Sequence, residues 1–389
     1  MNLSKDSVHL FSSWVDVSLD AFAKNYEYIA QKVSPAGVIP VIKANGMGHG
    51  ARILADTLTE LGARIIGVSN FLEGLQLRDH GIKTPVIVFN GLTSGQIEEA
   101  VRQDLDFFGF DQSSLEKANE IARKLGKKAR VHVKVDTGMG RLGFLPEEAP
   151  RMRDLLSSLE HLDIVGVASH LSSPYVSEHD PFSLMQLEKF KKAAEILDPE
   201  HKAMWHFSAS SGTVRFDTSY LDSVRPGALL YGVSRVWPLP WDLVPVAEYK
   251  STLVQVKRLP KGHNIGYKLH YTAPRDMLMG VVPVGTTDGL TSEHADKGVV
   301  LIRGKRCRIV GICSCEMMVD LTDIPEAKAE DEVVMFGYQG EDFISAVESA
   351  EIVGTSYANL LTKIPWRTPR VYWKNGRRVA VDVMGEVTK

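Results

Sequence analysis

The sequence predicts an α/β chain: eight parallel strands alternating with helices and closed into a barrel, followed by a mainly β C-terminal domain. Three observations carry that prediction. Short apolar, β-rich segments recur, with amphipathic stretches between them, up to about Val236. Such alternation implies parallel strands joined by crossover helices, and eight of them close a TIM-like (β/α)8 barrel with its chemistry at the C-terminal strand ends. Beyond Val236 the helical spacing gives way to short strands and turns, the pattern of a β-rich domain. The length of 389 residues suits two domains, since single cores stop growing at about 250–300 residues. The expected division is 1–236 for the barrel and 237–389 for the β-domain.

Strands are expected near Val38–Ile42, Ile65–Ser69, Pro85–Phe89, Phe107–Phe110, Val131–Val135, Ile164–Ser169, Met204–Ser208 and Ala228–Tyr231. Each is short, apolar and rich in β-formers. Helices fall between them, at Leu54–Leu61, Gln96–Arg102, Ser113–Leu125, Glu147–Leu159 and Leu184–Leu197, with apolar residues at helical spacing. The stretch from Trp237 to Trp241, with Pro238 and Pro240, reads as a linker or corner. Past it, strands are expected at Thr252–Arg258, Met279–Pro283, Gly298–Ile302, Cys307–Ile312, Glu332–Phe336 and Arg370–Trp373. Short helices are expected near Ile344–Ala350 and Gly354–Leu361.

Composition narrows the function. With 45 basic and 48 acidic residues the net charge is −3, which gives no footprint for nucleic acid and no polybasic membrane patch. No apolar run approaches a membrane span. The first ten residues lack an apolar leader core and a small-residue cleavage site. Three cysteines suggest a reduced compartment, hence a cytoplasmic location. Cys313 and Cys315 lack the second pair that a zinc site needs and read as thiols on one face of a strand. No metal is expected.

Lys43 ends the first apolar run and is followed by Asn45 and the glycines Gly46, Gly48 and Gly50. Burial disfavours a lysine's charge, so a lysine ending a buried strand is costly unless it does chemistry. A desolvated amine of this kind can serve as a Schiff-base lysine. The alternative is an ammonium that reaches solvent past the strand end. The glycine spacing is not that of a P-loop. A second motif, Val131 to Phe144, delivers Lys134 and Asp136 on a strand and Arg141 on a glycine-rich turn. Lys134 reads either as a site lysine or as a partner of Asp136. His170 ends a further strand, and Ser210 and Gly212 suit an anion cup of backbone N–H groups. Arg225, Pro226, Gly227 and Ala228 follow.

Taken in order, these stretches resemble the motifs of alanine racemases, pyridoxal 5'-phosphate (PLP) enzymes built on a barrel plus a β-domain. The resemblance covers nearly the whole chain. It implies an isomerase, a PLP-dependent amino-acid racemase that interconverts L- and D-forms of a small-molecule amino acid by a two-base mechanism. It also implies a homodimer with composite active sites. By resemblance, Lys43 carries PLP and is the base on one face, and Tyr267 is the opposite catalytic base, reaching the partner's site. Arg141 binds the phenolic oxygen of PLP and the substrate, and His170 lies beside the pyridine ring. Ser210 and the backbone at Gly227 and Ala228 hold phosphate. Lys134 matches a lysine that is carbamylated in many relatives. Arg225 donates to the pyridine nitrogen. An arginine keeps its proton, so the ring stays a weaker electron sink, which favours return of the proton over amino transfer. Two rivals remain. A PLP decarboxylase of the same fold class would place a carboxylate where Arg225 stands. A non-catalytic PLP carrier of the barrel type would lack the β-domain that holds Tyr267.

At four pocket sites, one of them a residue pair, the chain departs from the family pattern. Met47 and Thr286 replace tyrosines, Cys315 and Glu316 replace a Met-Asp pair, and Trp366 replaces another tyrosine. Thr286, Cys315, Glu316 and Trp366 are assigned by resemblance to the substrate wall. The expected substrate is therefore not alanine, or not alanine alone.

Overall fold

The computed structural model describes residues 7–236 and 239–388. Its contacts divide the chain into two compact units. One comprises Ala23–Gly46 and Ala51–Leu243, the other the residues up to Phe22 together with Met47–Gly50 and Val244 onward. Trp237 and Pro238 of the expected linker lie outside the described residues.

In chain order the strands begin with β1 (Ser13–Ser18), β2 (Gly37–Val38), β3 (Ile66–Val68), β4 (Val86–Val88), β5 (Leu105–Gly109), β6 (Ala129–Lys134), β7 (Leu162–Ala168), β8 (Met204–Ala209) and β9 (Ser223–Arg225). Among the described residues, β2 to β9 form an eight-stranded sheet in the order β2-β9-β8-β7-β6-β5-β4-β3. Every pairing in it is parallel. Its two ends meet just past β2, where Val41 bridges Gly67. There Ile42 N–H donates to Gly67 O and Gly67 N–H to Pro40 O, each at 2.9 Å, so the ring closes. β3, β4 and β5 are buried along their whole length, as expected of parallel strands covered on both faces. Ile39, Ile65, Ile87, Phe108 and Ala168 pack together in one cluster. The outer helices are amphipathic. Gln112–Leu125 buries Leu115, Ala118, Ile121 and Ala122, starts on an Asp111 cap and stops at Gly126, whose φ is 63°.

The eighth strand differs from expectation. Ala228–Tyr231 is a buried 3-10 turn, and β9 lies just before it at Ser223–Arg225. Pro226 has no N–H with which to continue the ladder. The apolar run after it turns instead, closed by Gly232 at φ 72°.

The second unit is built on β10 (Ala247–Thr252), β11 (Gln255–Leu259), β12 (Asn264–Ile265), β13 (Tyr271–Thr272), β14 (Met277–Val282), β15 (Val299–Ile302), β16 (Lys305–Ile312), β17 (Met317–Asp320), β18 (Glu332–Gln339), β19 (Asp342–Ile344), β20 (Arg370–Lys374), β21 (Arg377–Val383) and β22 (Glu386–Thr388). They join in the order β11-β14-β17-β16-β15-β18-β10-β1-β20-β21-β22, with β19 on β18 and a separate β12–β13 pair. The single strand expected over Thr252–Arg258 is split: β10 ends at Thr252 and β11 starts at Gln255, with Leu253 N–H turned to Asp331 O. The N-terminal strand β1 joins this sheet, between β10 and β20. Its inward residues alternate with half-buried ones, and it pairs antiparallel to β10 and parallel to β20. Cys313 and Cys315 lie in the turn between β16 and β17, not on a strand, since Cys313 N–H closes back onto Glu316 O at 2.7 Å. No helix among the described residues is long and apolar enough to cross a membrane.

Candidate active site

The predicted barrel residues converge on the C-terminal ends of the strands. Lys43 follows the closing segment at Ile42, Lys134 is the last residue of β6, His170 follows β7, Ser210 follows β8, and Arg225 ends β9. Ala44, Asn45, Gly46 and Met47, directly after Lys43, all have positive φ, between 51° and 62°. Two side chains hold this left-handed stretch. Asn45 Oδ1 accepts from Ala51 N–H at 2.9 Å. Glu73 Oε1 accepts from Ala44 N–H at 2.6 Å, while its Oε2 accepts from Ser69 N–H and hydroxyl at 2.8 and 2.9 Å. Sequence reasoning missed Glu73. The visible signal was Asn70-x-x-Glu73, a helix-capping pair; its second role across 29 residues was not visible.

Asp136 does not pair with Lys134. Its Oδ1 accepts N–H groups from Gly138, Met139 and Gly140, and its Oδ2 accepts from Arg141, all within 3.1 Å. The carboxylate thus folds the turn that presents Arg141. Burial works against its charge, but the four N–H groups prevail and keep its pKa low. Gly143 closes the turn at φ 126°, and a Cβ there would sit 2.6 Å from Asp136 N.

Lys134 is therefore a buried lysine without an ion pair among the described residues, although the Asp136 charge still acts on it. Its Nζ reaches Val135 O at 3.3 Å and lies over the Phe108 ring at 5.9 Å. Burial first, then Arg225 and Arg141, push its pKa well below the ordinary lysine value. Lys43 remains accessible to solvent, yet burial and Arg141 lower its pKa against the pull of Glu73. His170 is driven well below the histidine range by burial, then by Arg225, Lys134, Arg141 and Lys43. Arg141 acts on all three, so the strand ends form one basic cluster, suited to an anionic ligand.

Arg225 is buried, and burial together with Arg141 brings its pKa down to about 9. Its Nη1 donates to His206 Nδ1 at 2.7 Å, and its Nη2 to the carbonyls of Ser169 and Phe207 at 2.7 Å and to His170 Nδ1 at 3.2 Å. Ser210 Oγ accepts from Gly227 N–H at 2.9 Å, so that N–H, expected to hold phosphate, is already engaged. Ala228 opens a 3-10 turn, whose first N–H groups lack intrahelical partners.

The remaining predicted residues belong to the second unit. Tyr267 opens the 3-10 turn Tyr267–Leu269 and is 69 % exposed. Trp366 is 62 % exposed. Its loop is anchored by Arg370, whose guanidinium donates to the carbonyls of Gly48, Ile364, Pro365 and Thr368. Thr286, Cys315 and Glu316 are brought together and exposed. Thr286 N–H donates to Cys313 O at 3.0 Å and Thr287 N–H to Ser314 O at 2.9 Å. Arg367 Nη2 then donates to Thr287 Oγ1 at 2.6 Å and Asp288 Oδ1 at 2.7 Å. Thr287 and Arg367 were also missed, although a second threonine in Gly285-Thr-Thr-Asp288 was there to be noticed. Among the described residues, no cluster of histidine, cysteine and carboxylate side chains could hold a metal.

Comparison with known proteins agrees with this architecture. Residues 17–235 match the N-terminal domain model of alanine racemase and residues 246–372 its C-terminal domain model. The alanine racemase of Symbiobacterium thermophilum is 34 % identical over 365 residues, covering 92 % of this chain and 97 % of the relative. That of Clostridium novyi is 34 % identical over 382 residues, covering 96 % and 98 %. Among solved structures, an alanine racemase of Clostridium difficile superposes with a TM-score of 0.90 at 30 % identity, over 96 % of this chain and 98 % of that one. One from Bartonella henselae, with covalently bound pyridoxal phosphate, gives 0.85 at 26 % identity over 93 % and 99 %. Both family domains are matched in order and the relatives are covered almost end to end, so the chain belongs to the alanine racemase family, a family of isomerases.

Proposed function

We propose that the chain is a PLP-dependent amino-acid racemase in which Lys43 and Tyr267 act as bases on opposite faces of the substrate. Arg225 is the observation that carries this reading. It is a buried guanidinium whose acceptors among the described residues are two histidine nitrogens and two carbonyls, none a carboxylate. The donor set suits PLP: an amine at Lys43, a hydroxyl at Ser210, the Arg141 guanidinium for the phenolic oxygen and the Arg225 guanidinium for the ring nitrogen. When bound, PLP supplies the electron-withdrawing ring that acidifies Cα–H of the attached amino acid. The chain's residues then decide where the proton goes. Lys43, with its lowered pKa, takes or returns it on one face. Tyr267, exposed on its turn, serves the other face in the active site of a partner copy. Arg225 keeps its own proton at the ring nitrogen and so limits the ring's appetite for electrons. A decarboxylase would want a carboxylate at that place.

The reading includes a division of labour near Val236, the preceding part binding PLP and the following part supplying Tyr267. It also includes carbamylation of Lys134. Burial and two arginines favour its neutral amine, and a neutral amine adds carbon dioxide with loss of one proton to give a carbamate that Arg141 can bind. Incubation with 13C-bicarbonate should give a carbamate carbon signal that is absent in Lys134→Ala.

Lys43→Ala should abolish borohydride-trappable PLP and racemisation together. Trapping on another lysine would overturn the assignment. Tyr267→Phe should keep PLP and lose turnover in both directions. Mixed Lys43→Ala and Tyr267→Phe subunits should regain activity through heterodimers with one intact site. For the substrate, the polar, exposed stitching of Thr286, Thr287, Cys315 and Arg367 supports acceptance of side chains longer or more polar than methyl. Exchange of α-hydrogen in deuterated water across the common amino acids decides this. If alanine leads all others by orders of magnitude in kcat/KM, the altered wall is merely tolerated, since one methylene is worth only about 1–3 kcal/mol.

A further inference from the structure

We propose that Asp106, acting through His132 and His206, is a positioning residue for Arg225, at the end of a buried chain whose donors all run one way, from guanidinium to carboxylate. The inference rests on the reading that Arg225 serves the active site.

The direction follows from chemistry. A guanidinium only donates, so His206 Nδ1, 2.7 Å from Arg225 Nη1, must accept. The proton of His206 is then on Nε2, which lies 2.9 Å from His132 Nδ1. That nitrogen accepts in turn, which leaves the His132 proton on Nε2. This last nitrogen is buried and without a hydrogen-bond partner among the described residues. It faces Asp106 Oδ2 at 3.5 Å. Asp106 is fully buried and also accepts from Arg130 Nε and Nη2 at 2.7 and 3.2 Å.

The surroundings are shaped for these rings. β6 and β7 pair His132 with Gly166, and a Cβ on Gly166 would sit 2.0 Å from His132 Nδ1. Phe108 lies stacked against His206, centroids 6.3 Å apart, and edge-on to His132 at 6.5 Å. Barrel layers are ordinarily filled by branched apolar residues. Two histidines and an aspartate there cost stability unless their polar groups are paired. Burial opposes the charge of Asp106, yet His132 and Arg130 keep its carboxyl below the usual range. The arrangement gives Arg225 a formal counter-charge two rings away, and it holds His206 in the one tautomer that can accept from the guanidinium. With the proton on Nδ1 instead, His206 would confront Arg225 donor to donor.

The test uses the full-length protein labelled with 15N-histidine, in which proton–nitrogen correlations report the tautomer of each ring, assigned by His132→Phe and His206→Asn. Both rings should carry their proton on Nε2. Asp106→Asn should scramble both tautomers and lower kcat at least about tenfold with a smaller change in KM, as removal of supporting groups does elsewhere. A proton on Nδ1 of either ring in the unaltered protein overturns the proposal, and that measurement stands even if Asp106→Asn fails to fold. Unchanged tautomers and turnover in a folded Asp106→Asn overturn it too. The tautomers are read without any catalysed reaction, so failure of the racemase reading would show separately, as absent α-hydrogen exchange.

Discussion

Ala44, Asn45 and Met47 carry side chains in left-handed backbone, where an L-residue sacrifices about 1–2 kcal/mol. Glu73 offsets part of that through the Ala44 N–H. Glu73→Ala should speed hydrogen exchange at residues 44–47 and depress turnover, whereas Glu73→Gln should keep most of the protection, because its amide oxygen can still accept. Equal exchange in both variants would count against a hydrogen-bonded role. The histidines give a second prediction. Burial first, then Arg225, holds His206 and His170 below the ordinary value of about 6.5. As pH falls through that value the unfolded chain binds protons that the folded chain refuses, so stability rises with pH there. The thermal midpoint should be level above about pH 7 and fall toward pH 5. His206→Asn should flatten the slope, and a slope unchanged by that substitution would sink the idea. At this scale the sequence showed what chemical type reveals: Lys43, Lys134, Arg141, His170 and Arg225 stand out at strand ends. It hid Glu73, His132 and Asp106, whose roles depend on neighbours brought near only by closure of the ring.

Seven of the eight barrel strands were legible as apolar runs, with ends displaced by a few residues. The eighth was not, because Ala228–Tyr231 is as apolar as a strand yet follows a proline and winds into a 3-10 turn. Three residues, Ser223–Arg225, do the pairing instead, and so short a run is too brief for periodicity to reveal. The turn holding Cys313 and Cys315 escaped for a similar reason, since a tight connection between β16 and β17 has no apolar signature of its own. Strand packing supplies the next prediction. Gly166 faces His132 so closely that Gly166→Ala must push the ring or split β6 from β7. Overpacking of this kind costs about 1–3 kcal/mol, read as a lower urea midpoint with an unchanged slope. A midpoint equal to that of the unaltered chain would mean that the ring moves freely, which the His206 bond should not allow.

Cutting the chain by its sequence pattern, after Val236, would not isolate a self-contained barrel. β1 lies between β10 and β20 in the other unit's sheet, and without them it offers two unpaired edges, a template for aggregation. A chain ending at residue 243 should therefore aggregate, and one spanning 19–243 should be more soluble; size-exclusion profiles showing the reverse would contradict this. The same strand bears on how the protein is made. Asp16 of β1 lies opposite Val371 of β20, so β1 waits for a strand made far later. At about 5–20 residues per second, the roughly 350 residues between them take about 20–70 s to synthesise. For about two-thirds of that interval β1 has neither neighbour, since its β10 partner Glu248 is itself far downstream, and for the rest it lacks β20, so the nascent chain depends on whatever shields the early strand until both are made.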